Sequence, residues 1–249
     1  MIIHDYDSDT NPVVSLENFY GKPRHIVDKC LILFSKVIHD HLLEEYACER
    51  IATIGQCNGN IPIYSFEHAG EQIAFYLSGI GSAIAADLCY QAYWLTGAAQ
   101  FIMFGSCGSL DQAATSGKYI IPAESYRGEG CSYYFVPPAD YITVRNADKV
   151  AAVFDEIGAP YAKGRVWTTD SMLRETAGLV QKRKQEGCIA VEMEVAGVQA
   201  ACDFYGLELF DFLEAGDVLA ESDYDITDLP GANHDLGKLR IAMEIAQRI

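Results

Sequence analysis

Short apolar runs alternate with stretches of helical period along most of this chain, and that alternation confines it to the α/β class. Residues 30–34 form an apolar run, followed by Val37-Ile38 and Leu42-Leu43 at helical spacing with acids nearby. Residues 63–67 and 72–77 flank a turn around Gly70, a hairpin signal. Residues 83–95 carry helical apolar spacing and stop at Gly97, a C-cap glycine. Residues 101–104 read as a buried strand that ends in Gly105-Ser106-Cys107-Gly108, a small-residue loop that lets backbone approach a ligand. Further strands are expected at 118–122, 165–168 and 208–213, and helices at 147–157, 193–205 and 236–247. The expected fold is a three-layer αβα sandwich around a central mixed β-sheet. Residues 1–28 lack periodicity and read as an N-terminal arm. The chain has 249 residues, half of them hydrophobic, which suffices for one core. Neither an internal repeat nor a low-complexity linker divides it, so one domain over 1–249 is expected.

Lys and Arg total 18 against 35 Asp and Glu, a formal charge of -17. A field of that sign repels phosphate backbones, which excludes nucleic acid as a partner and obliges any anionic small substrate to find strong local donors. The eight cysteines sit largely in apolar runs such as Lys29-Cys30-Leu31-Ile32 and Leu88-Cys89-Tyr90, as small buried hydrophobes do. With no Cys-x-x-Cys pair and six scattered histidines, no metal site is expected, and a reducing compartment fits. The acidic stretch 1–11 lacks a signal pattern, and no apolar run nears the roughly 18 residues of a membrane span. A cytoplasmic protein without a membrane partner is the expectation.

Gly79-Ile80-Gly81 before a helix invites a dinucleotide-fold reading, but Ile84 stands at the third glycine position and the preceding strand is not the first. Alone, these glycines are equally well a tight turn. Three segments together change the weighting: Gly79-Ile80-Gly81-Ser82-Ala83, Gly105-Ser106-Cys107-Gly108 and Ala190-Val191-Glu192-Met193-Glu194-Val195-Ala196-Gly197. In order and spacing they resemble the Gly-Met-Gly turn, the Gly-Ser/Thr-x-Gly loop and the Val-Glu-Met-Glu-Ala-Ala signature of the nucleoside phosphorylase superfamily. That superfamily includes purine nucleoside and uridine phosphorylases and the methylthioadenosine/adenosylhomocysteine nucleosidases. The resemblance runs from about residue 31 to 217. It implies cleavage of the N-glycosidic bond of a small-molecule nucleoside, no cofactor beyond phosphate as co-substrate, and a homo-oligomer: a dimer, trimer or hexamer.

By the resemblance, Glu194 accepts hydrogen bonds from ribose hydroxyls and Met193 packs on the sugar. The physical reading agrees: a carboxylate in an apolar stretch is costly unless donors reach it, and ribose supplies them. The bland alternative is a pair of helix N-terminal acids favoured by the dipole, worth roughly 0.3–1 kcal/mol. Asp217 resembles the family's Ser-Asp, with Gly216 in place of Ser, and its role there is to protonate the departing purine. Such proton transfer typically accelerates cleavage by about 10²–10⁴-fold. The alternative is a solvated loop carboxylate beside Glu214 and Glu221. Cys107, Gly108, Glu192, Trp167 and Met172 are the candidates for contacting the base. Thr168-Thr169-Asp170-Ser171-Met172-Leu173-Arg174-Glu175 departs from the uridine phosphorylases, which carry Phe-Tyr where Met172-Leu173 stands and a Gln-Arg pattern missing here. Tyr126-Arg127-Gly128-Glu129-Gly130-Cys131-Ser132 does look like a uridine-phosphorylase stretch, but Asp217 favours a purine. Trp167 and the cluster Tyr133, Tyr134 and Phe135 suit either base stacking or a core.

The acceptor is where the resemblance breaks. Met103 replaces the arginine that phosphorylases place before the small-residue loop, and Phe34-Ser35-Lys36-Val37-Ile38-His39 replaces their Gly-Asp-Pro-x-Arg turn. Each hydrogen bond to a charged group contributes roughly 1.5–3 kcal/mol, so two lost guanidinium contacts weaken phosphate binding severely. Lys36, His39, Ser106 and the amides of Gly79 and Gly81 are the groups left for phosphate or water. The family's nucleosidases use water with a Glu in the first turn after strand one; here His39 or Asp40 would have to substitute. Phosphorolysis is carried as the leading reading, hydrolysis as its alternative, and non-catalytic nucleoside binding as a third. Joint retention of Glu194 and Asp217 speaks against the third, provided both face one pocket.

Overall fold

In a computed structural model that describes residues 1–220 and 223–249, the apolar runs become strands of one mixed sheet. The strands are β1 Lys29–Leu33, β2 Glu49–Ile54, β3 Ile61–His68, β4 Glu71–Leu77, β5 Gln100–Ser109, β6 Tyr119–Gly128, β7 Tyr141–Thr143, β8 Tyr161–Thr169, β9 Cys188–Glu192, β10 Glu208–Leu219 and β11 Tyr224–Asp225. The helices are α1 Glu17–Tyr20, α2 Lys36–Glu45, α3 Ser82–Thr96, α4 Gln112–Thr115, α5 Ala147–Ile157, α6 Ala177–Gln185, α7 Val195–Tyr205, α8 Leu229–His234 and α9 Leu236–Arg248.

The sheet runs β11-β10-β6-β8-β9-β5-β1-β4-β3-β2, with β7 on β6. Strand β1 lies parallel to both β4 and β5, and β5 is parallel to β10, whereas β3 pairs antiparallel with β2 and β4. Because β10 pairs with β5 as well as with β6, the strands β5, β9, β8, β6 and β10 close into a circuit. The αβα layering is therefore as expected, with one half of the sheet curled shut.

Period-2 alternation divides the core into the two faces a sandwich requires. Cys30, Ile32, Phe101, Met103 and Leu209 pack beneath Leu88, Ala92, Val195, Val198 and Cys202 of α3 and α7. The intervening Leu31, Leu33, Ile102, Phe104, Phe210 and Phe212 pack on the other side against α2, α5 and α9. The N-terminal arm stays mostly exposed, but it ties back through Arg24 N to Trp94 O at 3.0 Å and Ile26 N to Thr96 O at 2.6 Å.

Three expectations shift. Gly105-Ser106-Cys107-Gly108 is not a loop: β5 continues through it to Ser109, because Gly108 and Ser109 gain a new antiparallel partner in β9. Likewise β10 runs past residue 213 to Leu219, with a register shift between Ala215 and Asp217 that puts a bulge at Gly216. The helix expected from residue 193 begins at Val195, preceded by strand β9.

Candidate active site

Beyond the bulge, Asp217 follows a glycine that the fold demands. A Cβ on Gly216 would lie 2.9 Å from Ala232 Cβ and 3.0 Å from Leu229 Cα, because α8 crosses directly over it. This close approach is why serine is absent there. Asp217 lines a cavity of about 370 Å³, a volume ordinary for a small-molecule site. Glu194 and Met193 line the same cavity, so the carboxylates expected for sugar and base share one pocket.

Glu194 is held by a tight turn. Gly81, at φ 110°, donates its N–H to Glu194 Oε1 at 2.6 Å, a backbone conformation that side-chain-bearing residues rarely adopt. Ser82 Oγ donates to Met193 O at 2.9 Å, anchoring the same segment to the start of α3. Glu194 occupies the N-cap position of α7 without capping it, which leaves its carboxylate to the cavity. Glu192 does the capping instead: its Oε2 accepts from Glu194 N at 2.5 Å and Val195 N at 2.7 Å, and its Oε1 accepts from the Thr168 hydroxyl. Thr168 Oγ1 in turn accepts from Ala196 N at 3.0 Å. Burial raises the pKa of both glutamates, and Glu194's charge raises that of Glu192 further.

Around Asp217 the cavity carries Cys107, Gly108, Met172, Glu175 and Tyr224. Burial pushes the Asp217 carboxyl above its ordinary value, and the nearby Tyr224 hydroxyl pulls the other way. Glu175 is pushed up to about 7, first by burial and then by the charge of Asp217. Glu221 lies outside the described residues.

A second cluster lines the cavity from β1, β5 and the C-terminal helices. Ser35 Oγ lies 2.8 Å from His234 Nδ1, and Ser106 Oγ donates to Asn233 Oδ1 at 2.5 Å. Lys238 is the only ammonium or guanidinium among the described lining residues. It is 1 % exposed, donates to Ala232 O and pairs with Glu214 at 3.3 Å, so its charge is already engaged.

Several expected site residues lie elsewhere. Lys36 points to solvent from α2 and pairs with Asp40 at 2.5 Å, as a helical i,i+4 pair does. His39 is turned into the aromatic packing, its ring 5.6 Å from Phe75 and 5.9 Å from Tyr64. Helical rotation puts Ile38, not His39, on the cavity wall. Trp167 belongs to a core cluster with Leu110, Val180, Cys188 and Leu219, since β8 turns that face away from the cavity. The amide of Gly81 is spent on Glu194, and Gly79 packs against Ile84 rather than lining the pocket. Tyr133 stacks under the Arg127 guanidinium at 4.1 Å, and Phe135 packs on Phe204 and Tyr205. Met172, Cys107 and Gly108 do line the cavity, and Glu192 lines it too but with its carboxylate turned to the helix cap. Sequence reasoning missed Glu175, Tyr224, Asn233 and His234; the last two sit in Leu229-Pro230-Gly231-Ala232-Asn233-His234, whose composition reads as a turn. No group of His, Cys, Asp or Glu among the described residues is placed to hold a metal ion.

Carboxylates from the ends of β9 and β10 share one cavity, and the comparisons with known proteins give the chain a family. A sequence model of the phosphorylase superfamily matches residues 37–238. The purine nucleoside phosphorylase DeoD-type of Bacillus cereus (strain ZK / E33L) is 24% identical over 187 residues, covering 72% of this chain and 78% of that protein. The same figures hold for its counterpart in Bacillus thuringiensis (strain Al Hakam). Among solved structures, the Campylobacter jejuni 5'-methylthioadenosine/S-adenosyl homocysteine nucleosidase aligns with a TM-score of 0.72 at 15% identity, over 90% of this chain and 100% of that one. AMP nucleosidase from Bacteroides thetaiotaomicron VPI-5482 aligns at 0.68 and 18% identity, over 89% and 88% of the two chains. The chain belongs to the phosphorylase superfamily, as an enzyme of its nucleoside phosphorylase and nucleosidase group.

Proposed function

We propose that this enzyme cleaves the N-glycosidic bond of a purine nucleoside with water as the acceptor. One observation carries the choice of acceptor: both hydroxyls of the second cluster are taken up by α8, and its one cation is held by a carboxylate and a carbonyl. Phosphate binding draws on free charged donors, and among the described lining residues the one ammonium is already paired. Water needs no such donor. Glu194 receives the ribose hydroxyls, Met193 packs on the sugar, and Asp217 delivers its proton to the departing base.

Phosphorolysis, the leading reading of the sequence, keeps the support of the DeoD-type relatives. The separating experiment measures free base released from a purine nucleoside panel with and without phosphate. Release independent of phosphate is expected. Release that requires phosphate overturns hydrolysis in favour of phosphorolysis, and binding without release overturns both in favour of a binding protein. The proposal extends to a cytoplasmic homo-oligomer built of one domain per chain; exposed aromatics such as Tyr134, 55 % exposed, and Phe204, 45 % exposed, supply an apolar surface for a second copy. No helix among the described residues is long and apolar enough to cross a membrane.

A further inference from the structure

Hydrolysis at a sugar carbon needs a group to take the proton from water, and neither sequence candidate is placed to do so. His39 is packed between aromatic rings, and Asp40 is engaged by Lys36 and His39. The first turn after β1 presents Ser35 instead, 6 % exposed and lining the cavity. As N-cap of α2, its Oγ accepts from Ile38 N at 3.3 Å. Its other neighbour is the imidazole Nδ1 of His234 at 2.8 Å, and in the tautomer that leaves Nδ1 unprotonated the Ser35 hydroxyl donates to it. Capping alone needs no imidazole, and this one comes from the far end of the chain. The adjoining Asn233 accepts from Ser106, and Lys238 donates to Ala232 O, so α8 is fixed on both sides of the pair.

We infer that Ser35 and His234 form the proton-accepting pair that activates water; this rests on the hydrolytic reading above. The water oxygen bonds to the anomeric carbon as the carbon–nitrogen bond breaks, its electron pair leaving with the base. The base takes the Asp217 proton. The proton lost by water passes to Ser35 Oγ as the Ser35 proton passes to His234 Nδ1. The products are free sugar and neutral base, with Asp217 ionised and His234 protonated; loss of one proton to solvent and gain of another reset the enzyme.

The test uses the full chain with His234→Gln, Ser35→Ala and Asp217→Asn, circular dichroism verifying that each folds. For His234→Gln, kcat on the best nucleoside of the panel falls about 10²–10³-fold while KM stays within about threefold, as loss of a proton acceptor requires. Ser35→Ala loses at least about tenfold. Azide, a nucleophile with no proton to surrender, restores base release to both variants and yields a ribosyl azide, but does not restore Asp217→Asn. A 4-nitrophenyl riboside, whose leaving group needs no acid, restores Asp217→Asn but not His234→Gln. A His234→Gln enzyme within about threefold of the parent, or one whose loss is in KM and indifferent to azide, overturns the inference and leaves the hydrolytic reading standing. If the unsubstituted enzyme releases base only with phosphate, the hydrolytic reading fails first and carries this inference with it.

Discussion

Asp217 is governed by two opposed neighbours: burial raises its pKa, and the Tyr224 hydroxyl lowers it. An acid serves the leaving base only while protonated, so kcat/KM on purine nucleosides falls as pH rises through the raised value. Tyr224→Phe removes the lowering contact and shifts that alkaline limb to higher pH; a limb that stays put or moves down sinks Asp217 as the acid. Glu175 makes a prediction about stability. Its folded-state value, near 7, stands above that of an unfolded glutamate, so its contribution is complete in acid and is lost as pH rises through about 7. Glu175→Gln keeps the shape without the charge. Its midpoint of thermal unfolding should match the parent at about pH 5 and exceed it at about pH 8. Equal midpoints at both pH values would show that Glu175 is not desolvated as described.

Among the elements, those legible in the sequence have a single apolar period: β1, β3, β4, α3, α5 and α9 fall close to their expected spans. Those that were not legible draw their stability from a partner. Strand β9 is five residues between polar α6 and α7, and it exists because β5 and β8 pair with it. Helix α6 carries few apolar residues and is started by the Thr176 side chain on Leu179 N. Helix α8 looks like a turn until it packs on the Gly216 bulge. The site inherits this division. Glu194 and Asp217 were readable because their segments carry distinctive residues, whereas Glu192 differs from Glu194 only by the turn between β9 and α7 that makes it a cap. The packing behind that turn is tight: a Cβ on Gly197 would lie 2.5 Å from Ser82 Cβ. Gly197→Ala should therefore destabilise by about 1–3 kcal/mol through overpacking of α7 on α3. Because Ser82 also anchors Met193, KM should rise with it. The urea midpoint at unchanged m-value and the KM check both, and a variant as stable as the parent would mean that α3 and α7 part freely.

For the whole molecule, the closed circuit of β5, β9, β8, β6 and β10 sets the carboxylates of β9 and β10 around one cavity, inside a chain whose formal charge is -17. The fold itself does not choose among substrates, since it aligns with a 5'-methylthioadenosine/S-adenosyl homocysteine nucleosidase and with an AMP nucleosidase alike. Charge does choose. A nucleoside 5′-monophosphate approaches against the field of the protein and finds Lys238 already paired with Glu214, whereas an uncharged nucleoside meets no such barrier. At low ionic strength kcat/KM should favour the neutral nucleoside over its 5′-monophosphate by about tenfold or more. Salt shortens the Debye length to about 3 Å at 1 M, so the long-range part of that preference should shrink as salt rises while the rate on the neutral nucleoside holds. Steady-state kinetics on the pair across a salt series measures both. Equal rates at low salt would mean that a local donor outweighs the field, and a preference indifferent to salt would mean that the discrimination is made inside the cavity and not by the long-range field.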